Sequence, residues 1–312
     1  MTAPSDNKIV LVVRPTRLDD LVLRHNTIQQ AQFYVEHMGA DFTDYLAEHR
    51  RYHEAVGACE SLLRDVGRVH RLQRRYLANF IFGPDDAVVV LGQDGLVANT
   101  LKYLDGQHVV GVNPDPARWD GALLPFTVDS LSKIMPEVLA RKRPVKTVTM
   151  AKASLNDGQT LHAVNDLFIG QRSHVSARYK IAIAGREEQQ SSSGIIVSTG
   201  LGSTGWLKSV YAGWAAATQS LLRRDVGNLD QGAFAWDADY LHYFVREPYP
   251  SRTTQAGVVI GRIAHADRMT IVSQMPENGV IFSDGIESDY LEFNSGALAT
   301  IGVAKKRGLL AV

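Results

Sequence analysis

Short apolar runs, each long enough for one strand, alternate with stretches of helical periodicity through the first third of the chain, and this spacing constrains the fold most. Lys8–Val13 (KIVLVV), Ala87–Leu91 (AVVVL) and His108–Val112 (HVVGV) read as buried strands. Helical patterns cover about 27–37 and 41–64, and a further helix is expected from about Val97 to Leu104. Strands alternating with helices indicate a doubly wound α/β domain, in which ligands bind beyond the carboxyl ends of the strands. The first strand ends in Arg14-Pro15-Thr16-Arg17, a loop with two cations, and the basic stretch Arg68–Asn79 reads as a solvated helix.

The pattern changes after about Pro125. One helix is expected over Ser130–Arg141 and another over Thr204–Leu222. Between and after them, Val145–Met150, Leu161–Ile169, Ala177–Ala184, Gly194–Ser198, Leu241–Val245, Gly257–Ile260, Met269–Val272, Val280–Phe282 and Tyr290–Phe293 read as strands. Glu187–Ser193 (EEQQSSS) looks like a mobile polar hairpin tip. The expected organisation is an α/β domain over residues 1–125 and a β-rich domain over 126–312, with the last residues packing back on the first. A chain of 312 residues exceeds one ordinary domain, and clefts between domains are favoured ligand sites.

Thirty-three basic residues balance 33 acidic ones, so no net field favours nucleic acid or an anionic membrane. No apolar stretch approaches the ~20 residues that span a bilayer, and Met1–Asn7 is short and polar for a targeting segment, which makes the cytoplasm the expected location. Cys59 is the single cysteine, which rules out an intrachain disulfide and any multi-cysteine metal site, and it is read as a core residue. His49 and His53 lie one helical turn apart, but no third ligand is spaced to join them, so no metal ligands are assigned.

Three motifs carry possible chemistry. Gly92-Gln93-Asp94-Gly95-Leu96 follows the strand Ala87–Leu91 and delivers one carboxylate into a sharp turn, where glycines permit positive φ and close backbone approach to a phosphate. A plain βα connection with Asp94 as helix cap fits equally well. Asn165-Asp166 interrupts the apolar run Ala163–Ile169, and a buried Asn–Asp pair must find partners, whether in a turn, on an edge strand or in ribose hydroxyls and an adenine amino group. Gly200-Leu201-Gly202-Ser203-Thr204-Gly205-Trp206 leads from a strand into a helix. It lacks the lysine of a Walker A loop and the spacing of a nucleophile elbow, leaving an anion or polar-ligand site or a structural turn.

Taken in order, GQDGL, AVNDLFIG, STGLGSTGW and IFSDG resemble the successive motifs of the NAD kinase family. The branch containing the animal mitochondrial NAD kinases is the most similar, through Val112-Asn113-Pro114-Asp115-Pro116, Val164–Tyr179, Arg246-Glu247-Pro248 and Leu291-Glu292-Phe293-Asn294, so that the likeness covers nearly the whole chain. The resemblance implies the NAD kinase fold: a Rossmann-like α/β domain, a β-sandwich-like C-terminal domain and NAD held between them. It implies transfer of the terminal phosphate of ATP, taken with Mg2+, to the adenosine 2′-hydroxyl of NAD, in a homodimer or higher homo-oligomer with no nucleic-acid or membrane partner. Asp94 matches the catalytic aspartate, and Gly92 and Gly95 shape its turn. Asn165 and Asp166 match the dinucleotide-binding pair. Thr204, Gly205 and Trp206 match the segment bordering NAD, with Ser209 one turn later, and Asp284 matches the late Asp-Gly motif. Arg14, with Arg17, is placed to neutralise triphosphate charge.

The sequence also departs from the family. Gln93 and Leu96 replace a glycine and the threonine of Gly-Gly-Asp-Gly-Thr, which takes a hydroxyl from the turn and adds a side chain to it. Ser192-Ser193-Gly194 replaces Gly-Asp-Gly of many bacterial members, and Asn113-Pro114-Asp115-Pro116 replaces a glycine-containing segment. A non-catalytic nucleotide sensor, or a kinase acting on another small molecule or a lipid, is the alternative reading.

Overall fold

The computed structural model describes residues 7–223 and 232–312. The chain forms two compact units, one holding the chain up to Lys146 together with Leu309–Val312, the other Thr147–Gly308.

In the first unit the strands β1 (Lys8–Val13), β2 (Arg68–Gln73), β3 (Ala87–Leu91) and β4 (His108–Asn113) form a parallel sheet in the order β2-β1-β3-β4, with the short β5 (Phe126–Thr127) and the chain end alongside β4. Helices α1 (Arg17–His25), α2 (Ile28–His37), α3 (Phe42–Arg64), α4 (Asp94–Leu101) and α5 (Leu131–Leu139) complete it. From β1 the chain goes first to β2 on one side and then to β3 on the other. The carboxyl ends of β1 and β3 therefore flank a topological switch point, the crevice where such sheets take ligands. Every residue of β3 is buried, as a central parallel strand covered on both faces requires.

Several elements differ from the sequence reading. Arg68–Gln73 is an edge strand and Arg74–Asn79 a 3-10 helix. Leu72 is the one buried residue of that strand, so charge runs along an edge that the hydropathy pattern alone marks as helical. α1 occupies a stretch to which the sequence reading assigns no element, and Thr16 and Asp19 close a capping box at its start. The unit boundary falls after Lys146, not at 125. The apolar face of α5, Leu131, Ile134, Met135 and Val138, packs in the same core as β1, β3 and β4, which draws the helix into the first unit. Cys59 is buried in that core.

The second unit contains two facing sheets. One has the order β10-β9-β14-β17, built from β9 (Ala177–Ile183), β10 (Arg186–Ser192), β14 (Met269–Ser273) and β17 (Leu298–Ala311), with β6 (Val145–Leu155) and β7 (Thr160–Ala163) joined to it. The other has the order β13-β12-β11-β8-β15-β16, built from β8 (Asp166–Gln171), β11 (Ile195–Ser198), β12 (Tyr240–Val245), β13 (Ile260–Ala264), β15 (Gly279–Ser283) and β16 (Ile286–Glu292), and helix α6 (Trp206–Leu222) follows β11. Tyr179, Ile181, Ile271 and Ile301 from the first sheet meet Leu167, Ile169, Val197 and Ile281 from the second in one core, a sandwich held by alternating inward side chains.

Glu187–Ser193 is not a mobile tip. All but Ser193 belongs to β10, paired along its length with β9, with Gln190, Ser191 and Ser192 buried. The tip lies earlier, at Ala184-Gly185, both at positive φ. Polar residues occupy the strand because they are satisfied there: the Gln190 amide donates to Val258 O, and Tyr179 Oη lies 2.7 Å from Ser192 Oγ. β13 begins where a strand ending at Ile260 was expected, and the 14-residue β17 is read only in the structure. The expected strand Leu161–Ile169 is two strands, broken at Val164-Asn165, and this break organises the candidate site. Among the described residues no helix is long and apolar enough to cross a membrane.

Candidate active site

The turn after β3 carries Asp94. Gly92 N donates to Val112 O, Gln93 is the N-cap residue with extended φ and ψ, and Asp94 is the first residue of α4. Gln93 O accepts from Leu96 N and Val97 N, leaving the N–H groups of Asp94 and Gly95 without an intrahelical acceptor. The Asp94 carboxylate accepts from Leu123 N (2.8 Å) and Ala122 N (3.2 Å), two backbone donors that fix its orientation. Asp94 is therefore not the N-cap, and neither Gly92 nor Gly95 has positive φ. At Gly92 the approach is to a side chain: a Cβ there would lie 2.9 Å from Leu96 Cδ2, the movable end of that leucine. Leu96 itself is 4% exposed, so the residue in the threonine position faces the interior.

Arg14, at the carboxyl end of β1, donates from Nη2 to Glu48 Oε1 (3.0 Å) and lies over the Tyr52 ring. Arg17 pairs with Glu48 and Asp44. Burial pushes the Glu48 carboxyl up, but hydrogen bonds from Arg17 and Arg14 outweigh it and hold it below the ordinary carboxylate range. The two arginines thus already share a counter-ion, and charge offered to a triphosphate would come from a pair partly neutralised within the protein.

The second unit holds a pocket of about 630 Å³, within the range of small-molecule sites. Asn165 and Asp166 stand at one end, in the break before β8. Asp284, at φ 54°, and Gly285, at φ 70°, make the tight turn between β15 and β16. The Asp284 carboxylate accepts from Asn165 N (2.7 Å), from Val164 N (3.1 Å) and, more weakly, from Asp166 N (3.3 Å). Asp284 N in turn donates to Asp166 O. Asp284 therefore holds the Asn-Asp step in shape through its backbone.

The side chains of that step are available. The Asn165 amide makes no hydrogen bond to a described residue, while its backbone carbonyl accepts from Thr199 N. Asp166 Oδ1 is buried without a hydrogen-bond partner. Burial pushes the Asp166 carboxyl up to about 7; a Ser198 hydrogen bond opposes the rise and the like charge of Asp284 adds to it. A buried, unpaired polar atom carries a desolvation cost.

The glycine-rich segment is built for close approach. A Cβ on Gly202 would lie 2.3 Å from Asn165 O, and one on Gly200 would lie 1.9 Å from Ala235 O. Ser203 is buried and donates to Gly200 O, and the Thr204 hydroxyl donates to Leu201 O. The segment thereby brings Trp206, the first residue of α6, to the pocket wall, where it stacks on Phe168 at 5.8 Å. Phe282, directly opposite Phe168 across β15 and β8, extends the wall at 6.2 Å. Arg246 lies over Trp206, and Arg172 and His174 line the same pocket. Ser209 instead lines a neighbouring apolar groove with Trp214 and Phe244.

The structure thus gathers Asn165, Asp166, Trp206 and Asp284 around one pocket and adds Phe168, Phe282, Arg172 and Arg246. Phe168 had a signal in the sequence: it stands two residues from the motif Asp166, hence on the same face of β8, and Phe282 is its cross-strand partner. The arginines had none, since an isolated cation in a β-rich segment is ordinary. A further finding concerns His49 and His53. A third potential ligand does join them, Asp19 from α1, about thirty residues earlier, which sequence spacing cannot show.

A parallel α/β unit and a two-sheet unit bearing an aromatic-walled pocket define a class with solved members. The chain is similar to the NAD kinase from Archaeoglobus fulgidus, solved in complex with ATP, with a TM-score of 0.56 and 15% identity over 98% of this chain and 93% of that one. It is equally similar to yeast NADH kinase complexed with NADH, with a TM-score of 0.56 and 14% identity over 99% and 84%. The fold is that of the NAD kinases. In sequence, rat mitochondrial NAD kinase 2 is 22% identical over 98% of this chain and 87% of the relative, and the NAD kinase of Chlorobaculum tepidum is 28% identical over 40% and 44%. No family model matches the chain. Fold, sequence likeness and motif order agree in pointing to the NAD kinases, to which the chain is similar along nearly its whole length.

Proposed function

We propose that the protein is an ATP-dependent NAD kinase, transferring the terminal phosphate of MgATP to the 2′-hydroxyl of the adenosine ribose of NAD. The observation that carries this reading is the Asn165-Asp166 step. The uncommitted Asn165 amide and Asp166 line a pocket with an aromatic wall, which matches an adenosine: a base that stacks and polar edges that need a donor and an acceptor. Arg172 and Arg246 suit the pyrophosphate. Asp94 is assigned to the acceptor hydroxyl, orienting it or removing its proton. Phosphoryl transfer is dominated by positioning and charge stabilisation, so one well-held carboxylate and backbone donors suffice on the protein side.

The test is incubation of purified protein with MgATP and, separately, NAD, NADH, diacylglycerol and sugars, measuring ADP and phosphorylated product together. Equimolar ADP and NADP (or NADPH) support the reading. Turnover confined to a lipid or sugar points to another kinase, and saturable NAD binding without product identifies a sensor. We further expect a homodimer or higher homo-oligomer, because α6 leaves Trp214 56% and Leu221 83% exposed. Sedimentation velocity giving only monomer at tens of micromolar would remove that expectation.

A further inference from the structure

We propose that Asp19, His49 and His53 form a divalent transition-metal site, with Zn2+ as the natural occupant, that ties α1 to α3. The capping box that starts α1 places Asp19 at the third helical position, with Thr16 N and Thr16 Oγ1 both donating to its Oδ2. His49 and His53 stand four residues apart on α3, their ring centroids 4.3 Å apart, and both face that carboxylate.

Separations between the donor atoms suit a shared metal ion as well as they suit hydrogen bonds. His53 Nε2 lies 3.2 Å from Asp19 Oδ2 and His49 Nδ1 lies 3.5 Å from Asp19 Oδ1, and all three donor atoms fall within 4.8 Å of one another. Ligands bonded at ~2.0–2.1 Å to a tetrahedral zinc stand roughly 3.3 Å apart, and each histidine already stands near that spacing from one oxygen of the carboxylate, His53 from Oδ2 and His49 from Oδ1. Capping α1 uses Oδ2 alone. Among the described residues Oδ1 accepts no hydrogen bond, and the capping role leaves its approach to His49 unexplained.

The Thr16 hydroxyl supplies an outer partner. It sits 2.9 Å from Asp19 Oδ2 and 3.0 Å from His49 Nδ1, and with a metal on Nδ1 it keeps the carboxylate as its acceptor, orienting that ligand. Two imidazoles and one carboxylate favour Zn2+ and its neighbours over Mg2+ or Ca2+, which prefer all-oxygen sets. The side chains are 31–42% exposed, so a metal can enter from solvent and keep a water in its fourth position.

The experiment uses the full chain, stripped with chelator and titrated with Zn2+ by calorimetry, with Co2+ as a spectroscopic probe. One equivalent should bind with micromolar or tighter affinity, raise Tm, and give visible Co2+ bands of tetrahedral intensity. His53→Gln and His49→Ala should each weaken binding at least ~10-fold and the double variant should abolish it, while His265→Ala leaves it unchanged. Circular dichroism confirms that each variant is folded; if His49→Ala is not, His53→Gln alone decides. Absence of saturable binding below millimolar Zn2+, or undiminished binding in a folded His53→Gln variant, would overturn the proposal.

Discussion

Asp94 and Asn165 are held in opposite ways, and the difference separates their roles. Asp94 has both oxygens on backbone donors, Ala122 N and Leu123 N, so its position is fixed before any ligand arrives. Asp94→Asn is nearly isosteric, and it should lower kcat by at least ~100-fold while KM for NAD stays within a few-fold, as loss of a general base does. Steady-state kinetics check this, and undiminished NADP formation would move the role to another carboxylate. At the second step, backbone and side chain divide the work: the Asn165 N–H and C=O hold the turn, and the amide is left for a ligand. Asn165→Ala should therefore raise KM for NAD by roughly 2- to 13-fold, the equivalent of 0.5–1.5 kcal/mol for one hydrogen bond, with little change in Tm. A flat KM with a collapsed Tm would make the residue purely structural.

At the scale of elements, the site depends on how closely the glycine-rich turn approaches the start of β8. A methyl on Gly202 would meet Asn165 O at 2.3 Å, against backbone that cannot rotate away. Gly202→Ala should destabilise the protein by ~3 kcal/mol or more, through overpacking of a rigid contact, and should weaken NAD binding by displacing both the Asn-Asp step and Trp206. Thermal unfolding and NAD titration measure the two effects; a variant with wild-type Tm would show that the turn has room the geometry denies. The turn at Gly92 is less constrained, since the close neighbour there is a leucine side-chain tip and not backbone. Leu96 packs against it from inside α4, so this position contributes to the core of the turn and presents no hydroxyl outward.

For the whole molecule, carboxylates shifted in opposite directions shape stability over separate pH windows. Hydrogen bonds from Arg118 and Arg17 hold Asp44 at about 2, so its stabilising contribution is present above its unfolded value near 3.8 and is lost as pH falls towards 2. Asp166 has the opposite sign. Its folded value of about 7 exceeds the unfolded 3.8, so the folded state keeps a proton that the unfolded state releases, and stability declines as pH rises from about 4 to about 7 and is flat above. The whole shift corresponds to roughly 4 kcal/mol, which solvent on the pocket side reduces to on the order of 2 kcal/mol. Asp166→Asn should flatten that limb, so the difference between wild-type and variant unfolding free energies should fall across pH 4–7. A difference independent of pH would show that Asp166 ionises as an ordinary aspartate.

Local order is what the sequence determined by itself. β1 and β3 fall at Lys8–Val13 and Ala87–Leu91 as read, because a strand buried on both faces must be apolar throughout, and α2 and α3 follow their expected periods. Motif order and the Asn165-Asp166 interruption were equally legible, since polar residues inside an apolar run require an explanation wherever they fold. Partnership was decided only by tertiary structure. β10 hides glutamines and serines that composition assigns to a loop, because their partners, Tyr179 and Val258, are 11 and 68 residues away. Asp284 grips the backbone at Val164 and Asn165 across about 120 residues, and Asp19 meets two histidines from another helix. Hydrogen-bond satisfaction and ligand geometry act between residues distant along the chain, and sequence spacing records only those that are near.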